Sequence, residues 1–143
     1  MRLFKTTPGL IARMEGRKPR ARKAPVVHPL ENKLQCDVAK VLHEHCRSDW
    51  LWFHVPNGGK RDLITGAQLK RAGAKAGVPD MVLISPEGTV RFLELKRVSG
   101  VLSETQEEFK AHCVKHDIAY EIARNIDEAL LAFSTWRCLR VHL

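Results

Sequence analysis

Long apolar stretches are missing from this 143-residue chain. No run approaches the twenty or so residues that a membrane-spanning helix needs. Paired cysteines are missing too. Cys36, Cys46, Cys113 and Cys138 form no C-x-x-C, and their spacings fit no zinc pattern. Reduced, partly buried thiols in a cytoplasmic protein are the expectation. His43, His45 and Cys46, and likewise His112, Cys113 and His116, lie close in sequence. Both groups fall inside predicted helices without a matching partner pair, which argues against zinc. The N-terminus lacks the apolar core of a secretory signal. It is Arg-rich and acid-poor, faintly like a transit peptide, but Pro8-Gly9 and Pro19 interrupt any long amphipathic helix there. No internal repeat is visible. Nor is there a helix-turn-helix, a zinc finger or another base-reading module.

What is present is charge, unevenly spread. The formal net charge is +8. Residues 1–27 hold eight Lys/Arg against one acid, Glu15, a balance of +7. The rest holds sixteen Lys/Arg against fifteen acids, a balance of +1. A basic, poorly ordered arm over 1–27 and one nearly neutral domain over 28–143 are therefore expected. Such an arm attracts polyanions, or simply solubilises the chain end.

Apolar positions Leu30, Leu34, Val38, Val41 and Leu42 recur at helical spacing and predict a helix over 30–46. Trp50 to Val55 reads as a strand, stopped by Pro56-Asn57-Gly58-Gly59. The basic stretch 60–76 predicts a loop with a short helix around Ala67 to Ala72. Two strands follow, 80–84 and 90–96, joined by the five-residue loop Ser85-Pro86-Glu87-Gly88-Thr89. Ser103 opens a helix with Glu104, Glu107 and Glu108 in its first turns, where the dipole favours acids. A fourth strand spans 118–123. Asn125 with Glu128 resembles a capping box for a last helix through Phe133. The order α-β-(α)-β-β-α-β-α implies an α/β fold, a mixed four-stranded sheet flanked by helices.

The hairpin carries the chemistry. If Ile84 pairs with Val90 across the loop, Asp80 lies opposite Glu94, on the same face and about 5 Å away. Strand alternation puts Lys96 on that face as well. Two carboxylates so close repel unless a cation sits between them. A hard divalent ion with oxygen ligands does this, and Lys96 adds compensating charge. Taken alone, Glu94 and Lys96 could be a surface ion pair of little worth. The first helix offers a third acid: Glu31 falls on the stripe of Val38 and Leu42. Either it reaches the acidic end of the sheet, or it is a dipole-favoured acid beyond the buried part of its helix.

These residues carry a resemblance. Gly77-Val78-Pro79-Asp80, thirteen intervening residues, then Glu94-Leu95-Lys96, resembles the PD-(D/E)XK nuclease signature. Pro56-Asn57-Gly58-Gly59, the Lys70-Arg71-Ala72-Gly73 run, and Leu102-Ser103 followed by Gln106 resemble the virus-type replication-repair nuclease (VRR-NUC) family. The likeness covers about residues 29–133. It implies a restriction-endonuclease-like core in which Asp80, Glu94 and the Leu95 carbonyl ligate Mg²⁺ or Mn²⁺. Glu31 matches the family's helix acid, and Lys96 would position or activate the attacking water. Gln106 matches the family's glutamine, although Ser103-x-x-Gln106 also reads as a capping box. Asn57, Lys60, Arg61, Lys70, Arg71 and Lys75 are candidate DNA contacts that set register without reading bases, the alternative for the basic ones being plain solvated charges. The activity implied is structure-selective DNA cleavage by a homodimer, like a Holliday-junction resolvase. Without an apolar span or a secretory signal, a cytoplasmic location with no membrane partner is the default expectation. Flaps, DNA ends or a restriction target are alternative substrates. A non-catalytic DNA-binding protein on the same fold is the alternative from another class.

Overall fold

The computed structural model describes residues 29–57 and 63–140. The arm, Lys60 and Arg61 lie outside the described residues. Helix α1 is Pro29–His45, strand β1 Leu51–His54, helix α2 Leu63–Arg71, strand β2 Met81–Ile84 and strand β3 Val90–Leu95. Helix α3 (Glu104–Lys115), strand β4 (Ala119–Ala123) and helix α4 (Ile126–Trp136) complete the order expected from the sequence. The sheet runs β1-β2-β3-β4. Its first two pairings are antiparallel and the β3–β4 pairing is parallel. A parallel neighbour needs a crossover connection, and α3 supplies it.

Alternation along the strands divides the sheet into two unlike faces. Met81 and Leu83 of β2 and Leu93 and Leu95 of β3 join Val38 and Leu42 of α1 and Phe133 and Trp136 of α4 in one buried cluster. Each such side chain contributes roughly 1.5–3 kcal/mol through the water it sheds. On the other face, α3 lies over aromatic residues. The Phe109 ring meets Phe92 edge-on at 5.0 Å and Tyr120 at 6.4 Å.

Local chemistry explains the element ends. Pro29 opens α1, where a missing N–H costs nothing. The Ser103 side chain caps α3. The Asn125 side chain accepts from the Glu128 N–H at 2.9 Å, while Glu128 reaches back to the Arg124 N–H at 2.8 Å. Helix α4 runs on past Phe133 to Trp136, because Trp136 is buried beside Phe133. It stops at Arg137, whose φ of 58° is left-handed. Helix α2 starts at Leu63 rather than near Ala67, and it makes no extensive contact with another described element.

Candidate active site

The hairpin register is the one that the loop length implies: Ile84 faces Val90, Val82 faces Phe92 and Met81 faces Leu93. Continued by one residue, it sets Asp80 opposite Glu94. Hydrogen bonds within the loop hold this count. The Ser85 N–H donates to the Thr89 carbonyl at 2.9 Å, and the Gly88 N–H donates to the Ser85 carbonyl at 2.9 Å. Gly88 takes a φ of +82°, which favours glycine.

Asp80 is fixed from both sides. Its carbonyl accepts from the Val55 N–H at 2.8 Å and lies 2.9 Å from His54 Nδ1, which ties it to the end of β1. Its carboxylate Oδ2 accepts from the Leu95 N–H at 2.9 Å, which ties it to β3.

Glu94 is only 1% exposed. A charge there needs compensation, since burial without a partner costs far more than a neutral polar group does. Two donors meet Oε1: Gln106 Nε2 at 2.6 Å and Lys96 Nζ at 3.3 Å. The Lys96 side chain is itself 16% exposed, so this is no surface ion pair. Breaking such a pair from one side is strongly destabilising, whereas an exposed pair contributes little.

Gln106 serves both of its possible roles at once. Its Oε1 accepts from the Ser103 N–H at 2.9 Å, closing the capping box, while its Nε2 donates to Glu94. The amide thus joins the start of α3 to the buried acid. Gly77 brings the other half of the site onto the same turn. Its φ is +77°, and a Cβ there would lie 2.2 Å from the Thr105 carbonyl oxygen. The loop leading into Asp80 therefore rests directly on the backbone of α3.

The remaining candidates are placed as follows. Glu31 lies in the first turn of α1, and its side chain is outside what the structure describes. One turn on, Gln35 Nε2 reaches Met81 Sδ at 3.0 Å, beside Asp80 in sequence. Leu95 sits between the two acids, with its N–H on Asp80 and its side chain in the core. The Asn57 amide donates to the Val78 carbonyl, so it fastens the exit of β1 to the loop before Asp80. Lys70 and Arg71 end α2, and both are exposed. Lys75 is exposed at the rim of a cavity of about 440 Å³ that Phe92, Phe109 and His112 also line.

Sequence reasoning missed Tyr120. It faces Phe92 across the parallel pairing and shares a sheet face with Glu94. Burial pushes its phenol above the ordinary range, and the negative charge of Glu94 pushes the same way. The parallel register that places it there has no local signal in the sequence.

Asp80 and Glu94 supply oxygen donors from two adjacent strands. That donor chemistry fits Mg²⁺ or Mn²⁺ and not a thiolate-preferring metal. Among the described residues, no three His, Cys, Asp or Glu side chains gather as a metal cluster. Further donors to a cation would come from the backbone or solvent.

A hairpin presenting an opposed Asp and Glu with a lysine two residues on, in a mixed sheet between helices, defines the PD-(D/E)XK class of nuclease fold. Residues 27–125 match the VRR-NUC domain, and the chain belongs to that nuclease-type family. A solved structure described as a VRR_NUC domain protein shares the fold, with a TM-score of 0.62 at 20% identity. The match covers 78% of this chain and 90% of that one. No curated protein matches the sequence. Among the described residues, no helix is long and apolar enough to cross a membrane.

Proposed function

We propose that this chain is a divalent-cation-dependent DNA endonuclease that selects DNA by structure and acts as a homodimer on branched substrates such as four-way junctions. One observation carries the reading. Glu94 is buried, yet Lys96 and Gln106 both reach its carboxylate, on a face that also carries Asp80. A fold gains nothing by burying an acid and ringing it with donors when an apolar residue would fill the place. The cost is explained if the site handles a phosphodiester.

Asp80, Glu94 and the Leu95 carbonyl are the groups that would hold Mg²⁺ or Mn²⁺. A bound cation of this kind acidifies water and neutralises charge on phosphoryl oxygens. Lys96 orients the attacking water and offsets charge that develops on the phosphoryl group. Gln106 keeps Glu94 from turning away. Exposed Lys70, Arg71 and Lys75, with Lys60 and Arg61 nearby in sequence, suit contacts to the sugar-phosphate backbone. With no base-reading motif in the sequence, shape is the feature available for selection. Paired cuts in a junction need two sites, which a two-fold dimer provides.

The test is cleavage with Mg²⁺, Mn²⁺ or Ca²⁺ on junction, flap, duplex and single-stranded DNA, with sedimentation of the protein–DNA complex. Mg²⁺-dependent cutting of the junction by a dimer is expected, with Ca²⁺ supporting binding but little turnover. Preferential cutting of flaps or ends would redirect the substrate. No cutting of any DNA would end the nuclease reading.

A further inference from the structure

The hydroxyl of Tyr120 is buried and makes no hydrogen bond among the described residues. Buried hydroxyls of folded proteins nearly always find a partner, so each exception asks for a reason. Phenylalanine would fill the same volume without leaving a polar atom unserved. The ring is already held as an aromatic, against Phe109 of α3. The oxygen is therefore the part that α3 and the sheet do not account for.

Its surroundings point in one direction. Tyr120 faces Phe92, and the next same-face pair along these strands is Glu94 with Ile122. Diagonal neighbours on a sheet face are about 7–8 Å apart, within reach of a long aromatic side chain. Phe109, which supports the Tyr120 ring, lies three residues from Gln106, which holds Glu94. A phenol is protonated at neutral pH, so the hydroxyl is available as a donor.

We infer that Tyr120 is a positioning residue for Glu94: its hydroxyl donates to the Glu94 carboxylate, directly or across one bridging water, when the site takes up its cation. Gln106 approaches Glu94 from α3, Lys96 from just past the end of β3, and Tyr120 from β4. The acid is then braced from three directions. Partners of this kind set the orientation of a metal-ligating carboxylate, and losing one typically lowers metal affinity or activity about 10- to 100-fold. The inference deepens the proposed function and rests on it for the identity of the site.

The decisive variant is Tyr120→Phe in the full-length chain. Three quantities are measured: the melting temperature without metal, the Kd for Mn²⁺ in the absence of DNA, and the single-turnover cleavage rate. The metal-free protein is expected to melt at or above the wild-type temperature, since an unserved buried polar atom has been removed. Mn²⁺ affinity is expected to fall roughly tenfold, and cleavage to fall with it. Unchanged Mn²⁺ affinity would overturn the inference and leave Tyr120 as an aromatic of the core. A lowered metal-free melting temperature would overturn it too, by showing that the hydroxyl serves the fold itself. The two readings separate cleanly. If the wild type cuts no DNA but binds Mn²⁺ through a Tyr120-dependent site, the nuclease reading fails and the positioning role stands. If the wild type cuts and Tyr120→Phe matches it in Mn²⁺ affinity and rate, the reverse holds.

Discussion

Glutamine in place of Glu94 keeps the shape and the bond to Gln106 but removes the charge that Lys96 compensates. Asparagine in place of Asp80 likewise keeps an acceptor for the Leu95 N–H. Both variants are expected to fold, Glu94→Gln with some loss of stability because Lys96 is left without its acid, to lose about a hundredfold or more in turnover, and to bind DNA as well as the wild type or better, since each removes negative charge near phosphates. Single-turnover cleavage together with fluorescence anisotropy checks this, and either variant cutting at the wild-type rate would remove the acid pair from the site. Lys96→Ala differs because it leaves Glu94 charged and short of a donor. A stability loss of about 3 kcal/mol is expected by denaturant titration, with turnover falling much further than DNA affinity. Normal turnover with weak binding would make Lys96 a docking residue instead. Not every residue was equally legible. Asp80, Glu94 and Lys96 could be grouped from alternation and a loop count, which are local rules. Gln106 carried two motifs at once, and only the approach of α3 to β3 shows that one amide satisfies both. Tyr120 depended on a parallel pairing across a helix, and Asn57 on a bond to a carbonyl twenty-one residues away.

Elements carry the site through their junctions. Gly77 is where the loop before Asp80 meets the first turn of α3, and alanine there collides with the Thr105 carbonyl in a conformation that L-residues rarely adopt. A loss of roughly 2 kcal/mol or more is expected for Gly77→Ala, together with a loss of turnover, because Gln106 moves with the helix start. Gly66→Ala is the control. It meets nothing within 4 Å inside α2, so it should stabilise by up to about 1 kcal/mol and leave cleavage unchanged. Thermal melts and cleavage rates of the two variants decide the matter, and equal effects would deny Gly77 its special place. The helices and strands themselves were largely readable from periodicity and caps. The end of α4 was not, because Ser134 and Thr135 break the apolar pattern before Trp136 restores it through burial. The scarcity of contacts between α2 and the other described elements was not readable either, since periodicity does not reveal which neighbours a helix has.

At the scale of the whole chain, charge and chemistry fall in different stretches of the sequence. Seven of the eight net charges lie in residues 1–27, and the acids of the site lie between Asp80 and Glu94. Deleting the arm is expected to weaken DNA binding at low salt and to flatten the dependence of log affinity on log salt. The slope should fall by roughly 0.9 for each duplex phosphate that the arm no longer neutralises. Turnover at saturating DNA should hardly change. Affinity measured at several salt concentrations tests this, and an unaltered slope would exclude the arm from DNA binding.

The hairpin has one more consequence, for how this chain tolerates change. Leu93 and Leu95 must face the core, and because side chains alternate, Glu94 and Lys96 must then face away from it. Oil, in effect, aims the acids. A residue inserted between Pro86 and Gly88 should therefore be absorbed as a longer turn, with melting and cleavage close to wild type, because slipping the strand instead would turn two leucines out to water. A large loss of cleavage on insertion would show that the turn, and not the core, sets the aim. If the core does set it, the tip of this hairpin is a place where lineages can lengthen, shorten or decorate the protein while its reactive groups stay in step.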